Sequence, residues 1–264
     1  MSDKTSRLEI LRIRGKTAER KRDVVVKEGP VTIFLNDVDL VTLLCSPRNL
    51  DYLAVGFMFG EGLIKTKREI KKIFADEKDG AVWVETREGK KLDENILSRR
   101  FITTGCGKGL SFVDATGYKK GLKNKSRLRI PASSVTVLMR EFQRKSELYR
   151  LTGGVHSAGL CDAKRILVFN EDIGRHNAID KVLGECILKE IKIANPIMIT
   201  SGRVSSEILI KAARSKIPVV ISKSAPTDLA VRLACDLGIT LVGFVRGSRM
   251  NVYSNGWRIV TEDF

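Results

Sequence analysis

The first half of the chain alternates short apolar runs with glycine, proline and charged residues. The segments DVVVKEGPVTIFLN and AVWVETREGKKL each place β-branched residues around a turn signal, at Gly29 and near Gly89 respectively. Such runs on either side of a turn are typical of a β-hairpin. A longer apolar stretch, CSPRNLDYLAVGFMFGEGLI, carries the helix-starting residues Pro47 and Asn49 and predicts a helix. We therefore expect residues 1–129 to form a β-rich N-terminal domain with one helix.

The second half of the chain has longer regular segments. PASSVTVLMREFQRKSELYRLT predicts one long amphipathic helix, and GVHSAGLCD with RILVFNED predicts a hairpin that turns at Asp162 and Ala163. Three helical segments then alternate with the apolar runs PIMIT, IPVVIS and ITLVGFV. This βαβαβ rhythm predicts a largely parallel sheet with helices on its faces. NVYSNGWRIV predicts a closing hairpin on its Asn-Gly pair, so residues 130–264 are expected to form an α/β, cofactor-binding domain.

The composition allows a sizeable core and favours an anionic partner. Hydrophobic residues make up 43% of the 264 residues, and 47 Lys and Arg against 31 Asp and Glu give a net charge of +16. The charge alone leaves open a nucleic acid, a nucleotide, a phosphorylated cofactor or an acidic protein. The basic run GYKKGLKNKSRLRIP has only Tyr118 to stack on bases, so a solvated connector is the better interpretation than a nucleic-acid arm.

Five cysteines occur without any C-x-x-C pair: Cys45, Cys106, Cys161, Cys186 and Cys235. That pattern predicts neither a disulfide framework nor a zinc ribbon. All except Cys106 stand among apolar residues and are expected in the core. MSDKTSRLEI has no apolar signal-peptide segment and no apolar run has the length of a membrane span. The sequence therefore predicts a soluble protein of the reducing cytoplasm.

Cys106 differs from the other cysteines because glycines flank it in TTGCGKGL. Gly105 and Gly107 let the backbone move, and the nearby cations favour the thiolate form of the sulfur: Arg99, Arg100 and Lys108. An accessible thiolate on a movable segment suits nucleophilic sulfur chemistry. The alternative, a glycine-rich turn with an incidental cysteine, stays open.

Three junctions between a strand and the segment after it carry small and basic residues. They are Ser201, Gly202 and Arg203; Ser222, Lys223 and Ser224; and Arg246, Gly247, Ser248 and Arg249. Ligands of open α/β sheets bind at the strand ends, where helix N-termini and arginines hold phosphates. One such junction is more typical of ordinary caps and turns, but three on one sheet edge in a basic chain predict a site for a nucleotide-like anion.

The segment EDIGRHNAID places Arg175, His176 and other polar residues at a helix start, and a structural cap explains about two of its six polar side chains. His156, in GGVHSAG, is the only other histidine. Both histidines lie near strand–helix turns, which predicts a shared pocket. A zinc deaminase needs H-x-E and P-C-x-x-C, and neither motif is present, so no metal site is expected.

Several ordered segments together resemble the formate dehydrogenase accessory sulfurtransferase family (FdhD/NarQ). They run from about Glu28 to Ile259 and include CSPRNLDYLAVGFMFGEGLI, FITTGCGKG, LTGGVHSAGL, EDIGRHNAIDKVLG, TSGRVSSEILIKAA, KSAPTDLAVRLA and TLVGFVRGSRMNVYS. The resemblance implies a sulfur carrier that takes persulfide sulfur from a cysteine desulfurase of the IscS type. The sulfur would go to the molybdenum or tungsten bis-guanine-dinucleotide cofactor of formate dehydrogenase, which guanine nucleotides would mimic. It also implies a homodimer and a three-layer α/β/α, cytidine-deaminase-like C-terminal domain without zinc.

Residue by residue, Cys106 matches the family's persulfide cysteine. The segment matched to cofactor binding comprises Phe244, Val245, Arg246, Gly247, Ser248 and Arg249, and the candidates that the residues themselves indicate for the same ligand are Ser201, Arg203, Ser224, Arg175, His176 and His156. Many members have C-G-x-C-G at the loop, whereas this chain has Gly109 where the second cysteine would stand. A cofactor-binding chaperone without sulfur transfer is therefore the alternative, and an RNA-binding protein ranks last.

Overall fold

The computed structural model describes residues 4–87, 102–103 and 122–261. The strands and helix before residue 104 are β1 (Thr5–Arg14), β2 (Thr17–Val26), β3 (Gly29–Leu35), β4 (Val38–Cys45), α1 (Leu50–Glu61), β5 (Ile70–Asp76), β6 (Ala81–Thr86) and β7 (Ile102–Thr103). Those after it are β8 (Ile130–Pro131), α2 (Ala132–Lys145), α3 (Glu147–Thr152), β9 (His156–Cys161), β10 (Ile166–Asp172), α4 (Arg175–Leu188), β11 (Ile197–Thr200), α5 (Ser206–Arg214), β12 (Val219–Ser222), α6 (Asp228–Leu237), β13 (Thr240–Arg246), β14 (Arg249–Ser254) and β15 (Ile259–Val260).

The N-terminal strands form a two-stranded hairpin and a five-stranded sheet. The sheet has the order β5-β6-β3-β4-β7, and α1 packs on it through a cluster of aliphatic residues. The predicted hairpin around Gly29 is wrong, because β2 pairs with β1 over its whole length and β3 pairs with β4. The β-branched runs mark strands correctly, but they carry no information about which strand is the partner. The hairpin predicted near Gly89 lies outside the described residues.

The C-terminal strands form a mixed six-stranded sheet in the order β10-β9-β11-β12-β13-β14. Only β11, β12 and β13 are parallel to their neighbours in the central part, and both outer parts are antiparallel. The expectation of a largely parallel sheet is thus wrong at the edges, because β9–β10 and β13–β14 are joined directly, without the crossover helix that parallel pairing needs. The hairpin that turns at Asp162 and Ala163 is confirmed.

Helices cover both faces of this sheet. α4, α5 and α6 bury one face against residues such as Met198 and Val220, and α2 buries the other against residues such as Ile199 and Ile221. The predicted long helix after Pro131 is in fact α2 and α3, which are separated at Ser146. The buried Ser146 hydroxyl donates to the Phe142 carbonyl, so it satisfies a carbonyl at the end of α2.

The predicted closing hairpin is wrong. Asn255 adopts a left-handed conformation with φ 46°, and a short 3₁₀ helix at Gly256–Arg258 follows it. The chain then pairs β15 parallel to β8 instead of folding back on β14. Buried Arg258 explains this course, since its guanidinium donates to the Thr240 hydroxyl at 3.1 Å and to the Ser126 carbonyl at 2.9 Å.

The helix α1 of the N-terminal part crosses α4 of the C-terminal part at very short range. A Cβ atom at Gly56 would overlap the carbonyl group of Asp180, and one at Gly184 would overlap the carbonyl group of Tyr52. Glycine is therefore required at both positions for the helices to approach this closely. The division of the chain into domains at residues 129 and 130 stays a prediction.

Two buried ion pairs lie beside this crossing. Lys181 Nζ lies 2.6 Å from Asp172 Oδ2, and both side chains are almost fully buried. The same ammonium donates to the Ser46 carbonyl at 2.9 Å, while the Ser46 amide donates to Asp172 at 3.1 Å. In the second pair, Lys211 Nζ of α5 donates to both carboxylate oxygens of Asp180, the residue before Lys181, at 2.6 Å. The two regions of the chain thus share one hydrogen-bonded interior.

Gly184→Ala is expected to lower the free energy of unfolding by about 3 kcal/mol or more, because the added methyl forces α1 away from α4. Gly29→Ala is the control, since no atom lies within 4 Å of its Cβ position, and it should change stability by less than about 0.5 kcal/mol. Urea unfolding followed by circular dichroism measures both. Equal stability of the two variants would contradict the close crossing.

Candidate functional site

The ends of the central strands open into the largest of the cavities described. β11, β12 and β13 are parallel, so the three junctions that follow them lie at one edge of the sheet, as the sequence predicts. A cavity of about 690 Å³ lies at this edge, within the range typical of ligand pockets. Four of the residues predicted to bind the cofactor line it, namely His156, Ser201, Ser224 and Arg246.

His156 and Ser201 are held together by the pairing of β9 with its neighbours. The Ser201 hydroxyl oxygen accepts the Ser157 backbone N–H at 2.9 Å and lies 3.3 Å from Nδ1 of His156. The hydroxyl thus joins the Ser157 backbone to the imidazole and orients the ring. Burial, and next the charge of Arg175, lower the pKa of His156. His156 therefore faces the cavity as a neutral ring.

Gly202 lets the neighbouring side chains approach this histidine. A Cβ at Gly202 would lie 2.9 Å from Cβ of Arg175 and 3.4 Å from Nδ1 of His156. Nε of Arg175 is buried, and no hydrogen-bond partner for it exists among the residues that the structure describes. A buried guanidinium N–H without a partner is a costly arrangement. Arg175 thus lies directly behind the cavity wall, although it does not line it.

Hydrogen bonds join the three junctions to one another. The Ser222 hydroxyl donates to the Gly202 carbonyl at 2.7 Å and accepts the Ser224 amide at 2.9 Å. The Phe244 amide in turn donates to the Ser224 carbonyl at 3.1 Å. The three strand ends therefore form one connected rim.

Phe244 has an unusual backbone for an aromatic residue, with a left-handed φ of 53°. It lies where the pairing of β13 with β14 shifts between Gly243 and Arg246. The guanidinium of Arg246 lies 6.0 Å from the centre of the Phe244 ring. Strained backbone of this kind is concentrated at binding sites, and here the irregular segment brings Arg246 to the cavity rim.

The cavity lining includes residues that sequence reasoning missed. Its cationic side chains are Arg150, Lys223 and Arg246, of which only the last two were singled out from the sequence. The remaining lining comes mainly from the end of α2, from α3 and from the turn before β9: Phe142, Gln143, Ser146, Tyr149, Arg150, Gly153, Gly154, Val155, Ser157 and Ile173. The adjacent Gly153 and Gly154, just before Val155 and His156, were a usable signal, because they mark a turn next to the histidine.

Other predicted residues lie away from this cavity. Val245 is fully buried in the core next to α2, so its side chain is not available to a ligand. Gly247, Ser248 and Arg249 lie at the exposed turn into β14, and Arg203 is exposed beside the N-terminus of α5. None of these four residues, nor Phe244 or His176, is among the residues that line the cavity.

His176 lies at an interface between helices and is not among the residues that line the cavity, so the shared pocket for both histidines stays a prediction. Its Nε2 lies 3.3 Å from the Ser205 hydroxyl, and its Nδ1 lies 3.4 Å from the Glu207 carboxylate. Burial lowers the pKa of His176 to about 3, and the charges of Lys211, Arg175 and Arg203 act in the same direction. His176 is therefore a neutral link from α4 to α5.

The acidic residues of EDIGRHNAID are structural. Asp172 and Asp180 form the buried ion pairs described above, and Asn177 donates to both Asp172 and the Leu44 carbonyl. The Glu171 carboxylate accepts the first amides of α3, those of Leu148 and Tyr149, both at 3.1 Å. The helix α4 begins without a side-chain cap hydrogen bond, so ion pairs and contacts between elements, rather than a cap, account for these carboxylates.

The described cysteines differ in their access to solvent. Cys45 and Cys161 are buried, and burial raises the pKa of each thiol to about 12. Cys186 is half-buried with its pKa raised by burial to about 12, whereas Cys235 is exposed, so its predicted place in the core is wrong. Helix periodicity puts Cys235 on the solvent side of α6. Cys106 lies outside the described residues.

The strand β7 shows where the chain approaches the Cys106 segment. Ile102 and Thr103 pair parallel to Thr42 and Leu43 of β4. Both strands therefore end at the same end of the five-stranded sheet, where Ser46 contacts Asp172 and accepts the Ile173 amide at 3.2 Å. Ile173 itself lines the cavity. The described chain thus reaches Thr103 on the side of the N-terminal sheet that faces the cavity.

Within the described ranges no cluster of three or more His, Cys, Asp or Glu could hold a metal ion. No helix there is long and apolar enough to cross a membrane. The cavity is instead neutral inside, with cations at its rim, which is suited to a phosphorylated or otherwise anionic ligand.

Comparison with known proteins identifies the family. The family model described as FdhD/NarQ family matches residues 26–260. The chain belongs to the FdhD/NarQ family. A protein of Bacillus pumilus named sulfur carrier protein FdhD is 43% identical over 239 residues, covering 90% of this chain and 91% of that protein. Its namesake in Bacillus subtilis is 39% identical over 260 residues, covering 98% and 99%.

A solved structure supports the same assignment. It is the crystal structure described as that of a formate dehydrogenase accessory protein from Desulfotalea psychrophila. It matches 97% of this chain and 100% of its own with a TM-score of 0.78 and 28% sequence identity. The mixed α/β architecture with several sheets is thus shared within the FdhD/NarQ family.

His176 should make stability depend on pH. Its pKa of about 3 in the folded chain is below the ordinary 6.5, so the unfolded chain binds the extra proton between these values. The stabilisation is complete above about pH 6.5 and is lost as pH falls towards about 3. Between pH 7.5 and 5, we expect His176→Gln to lose about 1–2 kcal/mol less unfolding free energy than the wild type. Urea titrations at both pH values test this, and equal losses would contradict it.

Proposed function

We propose that this chain is a sulfur carrier that supplies formate dehydrogenase with sulfur carried as a persulfide on Cys106. The donor is a cysteine desulfurase, and the acceptor is the molybdenum or tungsten bis-guanine-dinucleotide cofactor before or during its use by formate dehydrogenase. The supporting relatives are named sulfur carrier protein FdhD and formate dehydrogenase accessory protein. We expect the chain to act in the cytoplasm as a homodimer.

The position of the cavity relative to β7 supports the proposal independently of the names of the relatives. The basic cavity at the strand ends lies on the side of the N-terminal sheet where β7 ends, and Cys106 follows β7 by three residues. This arrangement supports a sulfur carrier whose acceptor binds in the cavity.

The loading step is a thiol–persulfide exchange. The Cys106 thiolate attacks the terminal sulfur of the donor's persulfide, the donor's S–S bond breaks, and the donor leaves as a thiolate. Arg99, Arg100 and Lys108 favour the attacking thiolate by their charge. The product is a persulfide on Cys106, and the donor cysteine is regenerated.

The acceptor, the guanine-dinucleotide cofactor, is the substrate of the second step. Its phosphates match the cations Arg150, Lys223 and Arg246, and its guanine or pterin rings offer donors and acceptors to Ser201 and His156. The transferred sulfur has formal oxidation state zero, so its delivery as sulfide consumes two electrons. A thiol that attacks Cys106 supplies them, as the bond between the two persulfide sulfurs breaks and a disulfide forms.

The second candidate function is a cofactor-binding chaperone without sulfur transfer. Gly109 stands where many family members have a second loop cysteine, and this departure favours it. The two functions share the cavity and differ only at Cys106. Full restoration of formate dehydrogenase activity by Cys106→Ala in a deletion strain would support the chaperone.

Incubation with a cysteine desulfurase and cysteine should add one sulfur atom to the wild-type chain, measured as intact mass. Cys106→Ala should gain none, because it lacks the accepting thiolate. Cys235→Ala is the matched control, since Cys235 is exposed and offers the reagent a competing thiol, and it should gain sulfur like the wild type. Equal labelling of the Cys106→Ala chain would refute the relay.

Arg246→Ala should weaken the binding of guanosine diphosphate about tenfold or more, because it removes a charged hydrogen-bond donor from the cavity rim. Arg249→Ala is the matched control. Arg249 pairs with Arg246 across the turn but does not line the cavity, so its loss should weaken binding by less than about threefold. Isothermal titration calorimetry measures both, and the reverse order would place the phosphate site on β14.

A further inference from the structure

The hairpin of β1 and β2 is an exposed arm. Its strands pair with each other over ten residues each, and at about 3.3 Å per residue the arm is roughly 33 Å long. Its base is fixed where the Lys27 amide donates to the Lys4 carbonyl and where Val26 packs at Gly154. The strands are otherwise largely exposed. An isolated two-stranded hairpin is marginal in water, so this arm has surface to bury elsewhere.

One face of the arm combines aliphatic and basic side chains. Residues that are paired directly across an antiparallel ladder point to the same face. This face, here called the arginine face, consists of the four pairs Arg7 with Val24, Glu9 with Arg22, Leu11 with Arg20, and Ile13 with Ala18. Leu11 and Ile13 are 61% and 66% exposed, the latter being the most exposed of the large hydrophobic residues described.

The charge of the arm restricts what can cover the arginine face. Residues 5–26 carry seven basic and three acidic side chains and no aromatic residue. If the two-fold axis ran through this face, the face would meet itself and three arginines would oppose three arginines, so direct pairing of the arm with the arm of a second copy is disfavoured. The lack of aromatic side chains removes the stacking that single-stranded RNA needs and the interfacial anchors typical of membrane contacts.

The partner that matches the arginine face best is an acidic protein surface with a small apolar centre. The area of a face made of four residue pairs is smaller than the roughly 800 Å² that each partner contributes to a stable interface. The face therefore supports a transient contact. A carrier that must release its client requires a contact of this kind. The partner named with this family is formate dehydrogenase.

We propose that the arginine face of the β1–β2 arm docks on an acidic, partly apolar surface of formate dehydrogenase. The proposal rests on the proposed function for the identity of the client, and it adds the surface that recognises it. The four pairs of the arginine face lie before residue 26, where the match to the family model begins.

The test measures the affinity of the full-length chain for formate dehydrogenase of the same organism, purified from cells that lack this protein. Arg20→Glu should weaken binding about tenfold at low salt, and less at high salt. Lys21→Glu is the matched control, with the same charge change on the opposite face, where Lys21 pairs with Ile10. It should weaken binding by less than about threefold.

A second pair of variants tests the apolar centre. Leu11→Ser should weaken binding about fivefold or more, whereas Leu8→Ser, on the opposite face and 52% exposed, should leave it nearly unchanged. Unfolding curves like those of the wild type confirm that all four variants fold. Equal effects on the two faces would overturn the proposal.

Three further measurements separate the other occupants. The proposal fails if formate dehydrogenase binding is insensitive to Arg20→Glu while that variant loses binding to phosphatidylserine vesicles or to the cysteine desulfurase, or dissociates a dimer in sedimentation. Sulfur loading of Cys106 is followed in the same samples. Absent loading with face-dependent binding would remove the sulfur relay and keep the docking surface, and normal loading with face-independent binding would do the reverse.

Discussion

The close crossing of α1 and α4 sets the geometry of the whole site. Gly56 and Gly184 bring the two backbones together, and this places the end of β4 directly against the end of β10. Ser46 then fills the hydrogen-bonding needs of Asp172 and Lys181, which would otherwise be buried charges with incomplete partners. A larger residue at either glycine would separate the N-terminal sheet from the cavity. The position of β7 relative to the cavity depends on this contact between two helices.

The strand-end site could be predicted because it follows from a general rule of parallel sheets. Ser201, Ser224 and Arg246 each come after an apolar run, and parallel strands bring their carboxyl ends to one edge. The mixed edges of the sheet leave this result intact, because the antiparallel β9 places its first residue, His156, at the same edge. The family resemblance rested on the same residues, so the local pattern and the resemblance agreed for a physical reason.

What the sequence could not show depends on contacts between distant residues. EDIGRHNAID has the composition of a catalytic segment. Its carboxylates, however, form ion pairs with Lys181 and Lys211 and accept hydrogen bonds from the amides of α3. The charge of a residue is visible in a sequence, but its partner is not. His176 is only one residue from Arg175, and its position on the helix directs it to α5. Arg150 was missed because it lies in a short helix, α3, whose separation from α2 depends on the tertiary contact between Ser146 and Ser157.

The cavity divides attraction from orientation. Arg150 and Arg246 are exposed at its rim, so salt would screen their attraction for an anion. His156 and Ser201 are partly buried, and their mutual hydrogen bond orients the imidazole ring whatever the ionic strength. A site with buried cations would hold a polyanion more tightly but would release it slowly, because affinity differences lie mainly in the dissociation rate. For a protein whose relatives are named as carriers, exposed charge around a neutral, pre-oriented interior allows selective binding together with release.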